Sequence, residues 1–199
     1  MSEQAAHCEL DDTLAKTSRT ISRALKKRAA RIRLLLTDVD GVLTDGRIWL
    51  HSLPDGTATE IKGFSAYDGA GLNVAKVAGL RTGLITGRDS PATARRAREV
   101  EMEFVYQNRG KKLPAYEEIL HRADLRDEEV AYVGDDLPDL PVLARVGLAV
   151  AVSNAAPEVK RAAHYVTRRA GGCGAVREVV ELILKAQSKW AKAIRFVRA

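Results

Sequence analysis

Asp38 and Asp40 stand two residues apart at the end of an apolar run, Leu34-Leu35-Leu36-Thr37-Asp38-Val39-Asp40-Gly41-Val42. A continuous apolar run closed by a turn residue reads as a buried strand. Side chains alternate faces in an extended chain, so both carboxylates are expected to point the same way. Two like charges held that close repel, and each loses hydration, so a cation or a shared proton must compensate. A strand-ending Asp-Gly turn accounts for Asp40-Gly41. It leaves Asp38, inside the expected strand, unexplained.

Other strand-like runs end in equally reactive residues. Leu84-Ile85-Thr86-Gly87-Arg88 places a hydroxyl, a glycine and an arginine at one end. Val133-Gly134-Asp135-Asp136, with Asp139 three residues on, places carboxylates at another. Lys112 lies in a loop-to-helix segment, and Asp68-Gly69 lies near the start of a further helix. Each has an ordinary explanation alone. Asp139, for instance, suits the positive end of a helix. Converging on one crevice, they describe a chemistry. Carboxylate oxygens suit Mg²⁺, which would neutralise Asp38 and Asp135 and attract a phosphate. Thr86 and Lys112 can hydrogen-bond the phosphate oxygens. One carboxylate can attack phosphorus while its neighbour two residues on protonates the leaving oxygen.

The elements that must position these groups alternate. Strands are expected at Ile32–Asp38, Arg81–Thr86, Glu103–Tyr106, Val130–Gly134, Leu148–Val152 and Tyr165–Thr167. Helices are expected at Gly69–Ala78, Ala92–Val100, Leu113–Arg122, Leu137–Arg145, Glu158–Ala163 and Ala175–Lys192. Alternating β and α elements predict an α/β fold with a mainly parallel sheet, whose crevice lies at the carboxyl ends of its strands. One segment breaks the rhythm. Arg47–Leu50 and Thr57–Phe64 flank Asp55-Gly56 and read as a projecting β-hairpin beside the Asp pair.

At 199 residues and 46% hydrophobic, the chain suits one domain with a sizeable core. The net charge of +6 resides at the ends. Residues 13–37 hold eight Lys or Arg and residues 185–199 five, with no acid in either stretch. A solvated helix face explains these runs. Aromatics make up 5% of the chain and are absent before Trp49, so nucleic-acid stacking has little to work with. Cys8 and Cys173 show no disulfide or zinc spacing, and His7, His51, His121 and His164 are scattered. No membrane span or secretory signal is evident, and a cytoplasmic setting is expected. No glycine pattern of a P-loop occurs.

Asp38-Val39-Asp40-Gly41-Val42-Leu43-Thr44, Thr86-Gly87-Arg88, Lys112 and Gly134-Asp135-Asp136-x-x-Asp139 resemble, in order, the four motifs of haloacid dehalogenase-like phosphatases. Lys62-x-Phe64-x-x-x-Asp68-Gly69 and Tyr165-Val166-Thr167-Arg168-x-Ala170-Gly171-Gly172-x-Gly174-Ala175-Val176-Arg177-Glu178 narrow the resemblance. It becomes that of the 3-deoxy-D-manno-octulosonate 8-phosphate phosphatase family, over about Ile32 to Lys189. The resemblance implies a doubly wound, Rossmann-like sheet. It divides the chain into a basic arm (1–31), a phosphatase domain (32–189) and a basic tail (190–199). It implies Asp38 as nucleophile through an aspartyl-phosphate, with Asp40 as general acid/base and backbone ligand. Asp38, Asp40 and Asp135 would hold Mg²⁺. Asp136 and Asp139 would support the metal waters and orient Lys112. Thr86 and Lys112 would hold the phosphoryl group. Ser65, Ala66, Tyr67, Asp68 and Gly69, with Gly87, Arg88 and Arg96, would face the sugar.

Only 45 residues separate Asp40 from Thr86 and 23 separate Arg88 from Lys112, too few for a cap domain. The family covers its site by tetramer assembly through the hairpins, so a homotetramer is expected, with Ile48, Trp49 and Leu50 at its interface. The family's usual Asn-Val-Arg before Asp-Gly reads Ser65-Ala66-Tyr67 here. This departure keeps a sialic-acid-type nonulosonate 9-phosphate phosphatase as an alternative. A non-hydrolytic assembly subunit of the same fold is a second.

Overall fold

Helix α1 (Arg23–Ala30) leads into strand β1 (Leu34–Thr37), whose four residues are all buried. The computed structural model describes residues 21–198. Most of the basic arm expected over residues 1–31 therefore lies outside the described residues. After β1 come a hairpin, β2 (Trp49–Ser52) and β3 (Ala58–Ile61), and helix α2 (Ala66–Val77). The chain then alternates: β4 (Arg81–Ile85), α3 (Pro91–Glu99), β5 (Phe104–Tyr106), α4 (Lys112–Ala123) and β6 (Val130–Gly134). It closes with α5 (Leu140–Leu143), β7 (Leu148–Ala151), α6 (Pro157–Ala162), β8 (Tyr165–Val166), α7 (Ala175–Ala186) and α8 (Trp190–Arg198).

Six strands form one sheet in the order β5-β4-β1-β6-β7-β8, every pair parallel. The chain builds outward from β1 to one side, then returns to build the other. Such sheets open a crevice at the carboxyl ends of the strands where the order reverses, here beside β1. Strands covered on both faces need apolar residues at every position. β1, β6 and β7 meet this, with Leu34, Leu35, Leu36, Ala131, Val133, Leu148 and Val150 no more than 1% exposed. Helices α1, α2, α7 and α8 pack together, as do α4, α5 and α6. Ser22 caps α1 by accepting from the Leu25 N–H, and Ala29 joins the core, so this basic helix is seated on the domain.

Two expected helices are different. The span Ala175–Lys192 is not continuous, because Ser188 takes a left-handed φ of 59° between α7 and α8. Gln187 is held there by a 2.6 Å bond from its side-chain amide to the Ile32 carbonyl. The span Leu137–Arg145 is a 3₁₀ turn (Leu137–Asp139) followed by the four-residue α5. Pro141 has no N–H to return to Leu137, so a regular helix cannot run through.

Among the described residues the two hairpin strands pair only with each other. Its outer residues Trp49, Leu50 and Ile61 are 58, 66 and 55% exposed.

Candidate active site

β1 stops at Thr37, one residue earlier than expected. The Asp38 N–H still continues the ladder to the Val133 carbonyl (2.9 Å). The backbone then turns, and the Val39 carbonyl accepts N–H bonds from Val42, Leu43 and Thr44. Asp40 therefore lies in a turn, and the expected strand-like parallelism of the two carboxylates does not hold. The two acids have separate partners.

Asp38 is bound by Lys112, whose Nζ lies 2.7 Å from Asp38 Oδ2 and 2.6 Å from Asp139 Oδ1. Lys112 is the first residue of α4 and is 3% exposed. Asp139 is fully buried and fully engaged. Its Oδ1 also accepts from the Tyr132 hydroxyl (2.8 Å), and its Oδ2 accepts from the backbone N–H groups of Asp135 (2.8 Å) and Asp136 (3.2 Å). Four donors fix this carboxylate, and through it the lysine.

Asp38, Asp135 and Asp139 each bring one oxygen within 4.8 Å of the others. Asp135 Oδ1 is buried and has no hydrogen-bond partner among the described residues. Burial, reinforced by the charges of Asp38 and Asp139, pushes the Asp135 carboxyl up to about 7. Burial likewise raises Asp38 to about 6, against the attraction of Lys112. Burial works against the charge on Lys112, but Asp38 and Asp139 outweigh it and hold the lysine's pKa above its usual value. One lysine thus serves three clustered acids, and one buried oxygen remains without a donor. This donor set fits a hard divalent cation.

The carboxylate of Asp40 is not part of this cluster. It pairs with Lys62 from the end of the hairpin, whose side chain is 1% exposed, and lies 3.8 Å from Arg88. Lys62 also lies 3.5 Å from Glu60, and Glu60 receives Arg88 at 2.6 Å. The hairpin therefore anchors to the sheet through alternating charges. Lys62 was visible in the sequence as part of the resemblance, but its link to Asp40 depends on the hairpin's fold.

Thr86 is buried at the end of β4, and its Oγ1 accepts the Arg88 N–H. Gly87 is exposed beside it. Ser65 caps α2, Ala66 is exposed, and the Tyr67 ring is 63% exposed. Three residues expected at the site are engaged elsewhere. Asp68 turns away to accept N–H bonds from Gly174 (3.2 Å) and Arg177 (2.8 Å), capping α7 where a helix leaves its donors unpaired. Arg96 lies under Gly69 and donates to the Ser65 carbonyl (3.1 Å). Asp136 is exposed and caps the Leu137 N–H rather than reaching Lys112.

Glycines let three backbones close around the cluster. A methyl group on Gly171 would overlap the Gly41 carbonyl, and one on Gly41 would overlap the Asp135 carboxylate. The Gly172 N–H donates to the Val42 carbonyl at 2.9 Å. The glycine-rich stretch after β8 thus forms one wall of the crevice.

The 3-deoxy-D-manno-octulosonate 8-phosphate phosphatase of Yersinia pestis is 46% identical over 163 residues, spanning 82% of this chain and 85% of that protein. The chain belongs to the 3-deoxy-D-manno-octulosonate 8-phosphate phosphatase family. The Escherichia coli member is 41% identical over 181 residues, covering 91% of this chain and 94% of its own. The family sits within a wider group, and the haloacid dehalogenase-like hydrolase profile matches residues 85–179. That span holds Thr86, Lys112, Asp135 and Asp139. Among solved structures, the family member from Moraxella catarrhalis superposes with a TM-score of 0.81 at 38% identity, covering 87% of this chain and 97% of that one. It was determined with a magnesium ion, a phosphate ion and KDO.

Proposed function

We propose that this chain is a Mg²⁺-dependent phosphomonoester hydrolase that converts 3-deoxy-D-manno-octulosonate 8-phosphate to 3-deoxy-D-manno-octulosonate and phosphate. The observation that carries the reading is the buried lysine bridging Asp38 and Asp139 opposite the unpartnered oxygen of Asp135. The named relatives support the same substrate.

The Asp38 and Asp135 carboxylates and the Asp40 backbone carbonyl would hold the magnesium ion. Bound there, the ion offsets negative charge on the carboxylates and the phosphoryl oxygens. Thr86 and Lys112 hydrogen-bond those oxygens, and Lys112 adds a positive charge where negative charge gathers. An Asp38 oxygen attacks phosphorus and the bond to the sugar oxygen breaks. Asp40 gives its proton to that oxygen, releasing the sugar as an alcohol and leaving an aspartyl-phosphate. Asp40, now a carboxylate, takes a proton from water as the water attacks phosphorus. Phosphate leaves and Asp38 is restored. Lys62 and Arg88 hold Asp40 at the entrance through both exchanges.

Ser65, Ala66, Tyr67, Gly87 and Arg88 would rim the crevice on the hairpin side. Trp49 and Ile61, cross-strand partners on one face of the hairpin, and Leu50 on the other are exposed apolar residues suited to burial against further copies of the chain, consistent with a homotetramer that covers a capless site. Among the described residues no helix is long and apolar enough to cross a membrane. We place the reaction in the cytoplasm, since the sequence holds only two cysteines, without the spacing of a disulfide framework.

Phosphate release from a panel of phosphorylated sugars, with and without Mg²⁺, tests the reading. The panel includes the octulosonate 8-phosphate and a nonulosonate 9-phosphate, with Asp38→Asn as control. Mg²⁺-dependent release, fastest from the octulosonate and lost in Asp38→Asn, is expected. Faster release from the nonulosonate would reassign the substrate. No release from any member by folded, Mg²⁺-binding protein would refute hydrolysis.

A further inference from the structure

Two arginines expected at the sugar already have carboxylate partners, Arg88 with Glu60 and Arg96 with Glu99. Arg169 differs. Among the described residues no carboxylate lies within ion-pair distance of it. Its guanidinium rests 5.8 Å over the ring of Tyr67, and Nη1 donates to the Cys173 carbonyl at 3.4 Å. Asp68 feels its charge, but both Asp68 oxygens are occupied by the N–H groups of Gly174 and Arg177. The Arg169 guanidinium therefore keeps donors to spare beside an exposed aromatic ring.

The backbone beneath it is firmly tied. The Arg169 N–H donates to Glu178 (3.1 Å), and its carbonyl accepts from the Thr167 hydroxyl (2.6 Å) and the Ser153 N–H (3.4 Å). From Arg169 the chain runs directly into Gly171 and Gly172, which press on Gly41 and on Thr44–Asp45. Those residues continue from Asp38. An uncompensated cation thus stands one loop away from the phosphoryl-transfer groups.

We propose that Arg169, steadied on the Tyr67 ring, recognises the carboxylate of the substrate and so selects acidic sugar phosphates. This rests on the sugar-acid reading above. A substrate whose phosphate is held by Thr86 and Lys112 presents its carboxylate at the other end. A guanidinium offers that carboxylate two parallel N–H donors. Stacking on tyrosine limits the arginine's freedom before substrate arrives, which lowers the cost of ordering it on binding. Arg169 is in this sense a specificity-determining residue, with no part in bond breaking.

The test compares kcat/KM for 3-deoxy-D-manno-octulosonate 8-phosphate with kcat/KM for p-nitrophenyl phosphate, which carries no carboxylate, at saturating Mg²⁺. The ratio between the two is measured for the wild-type protein, Arg169→Ala, Arg169→Gln and Arg169→Lys. Losing one charge-assisted hydrogen-bonded pair predicts a fall in the ratio of about tenfold to a hundredfold in Arg169→Ala, carried mainly by KM for the acidic substrate. Arg169→Lys recovers part of it. Should Arg169→Ala fail to fold, Arg169→Gln, which keeps the stem and loses the charge, decides the matter. A strong wild-type preference for the acidic substrate that survives Arg169→Gln overturns the role of Arg169 alone. A wild-type protein with no such preference overturns the sugar-acid reading and this proposal with it.

Discussion

Replacing Asp135 by asparagine is expected to stabilise the metal-stripped protein while abolishing its activity. Asp135 sits with its pKa near 7, raised by burial and by the charges of Asp38 and Asp139. The unfolded chain has its aspartates near 4. The folded state therefore holds this proton more tightly, and ionising Asp135 costs stability. The cost is absent below pH ~4, grows as pH rises and is complete above pH ~7. A shift of roughly three pK units corresponds to about 4 kcal/mol at most, and partial exposure reduces it to about 2–4 kcal/mol. Asparagine keeps the shape and carries no charge to desolvate. Its backbone N–H still donates to Asp139, so the hydrogen bonds of the turn survive. The assay is urea unfolding in chelator at pH 8 and pH 5. At pH 8 the Asp135→Asn midpoint moves up by roughly 1 M, given usual denaturant slopes. At pH 5, where wild-type Asp135 is already protonated in the folded state, the gain shrinks to less than half. A variant no more stable than wild type at pH 8, or one with equal gains at both pH values, refutes the reasoning. Added Mg²⁺ stabilises wild type and leaves the variant unmoved.

Two further substitutions probe the neighbouring groups. Lys62→Met removes the buried partner of Asp40; steady-state kinetics are expected to show kcat lower by about ten- to a hundredfold with KM little changed, as for a displaced catalytic group. Asp139→Ala orphans the Lys112 ammonium, the Tyr132 hydroxyl and two backbone N–H groups. It is expected to cost about 3–5 kcal/mol, read as a fall of roughly 10 °C in thermal unfolding.

The strand runs were legible in the sequence because this sheet is covered on both faces, and continuous apolar stretches such as Leu34–Leu36 admit few other readings. The convergence of Asp38, Lys112, Asp135 and Asp139 followed from their places at the carboxyl ends of parallel strands. What escaped depends on side-chain direction. Asp68 and Asp136 stand in the right loops, but each carboxylate is drawn to unpaired N–H groups at a helix start. Composition cannot distinguish a capping acid from one facing substrate. The pairing of Asp40 with Lys62 needed the hairpin to fold back onto the loops after β1 and β4, and neither residue's neighbours in sequence announce it. The break at Ser188 was hidden because Ala175–Lys192 keeps helical periodicity through a residue that turns left-handed.

The wall of the crevice is main chain on main chain where Gly171 meets Gly41, and Gly41 in turn lies against the Asp135 carboxylate. Main chain has no rotamers to sample, so the floor on which the Asp135 carboxylate rests has a fixed shape. The same closeness forbids any side chain at these two positions. Adapting this scaffold to a new substrate therefore has to proceed through the rim, at positions such as Tyr67 and Arg169, with the floor left untouched.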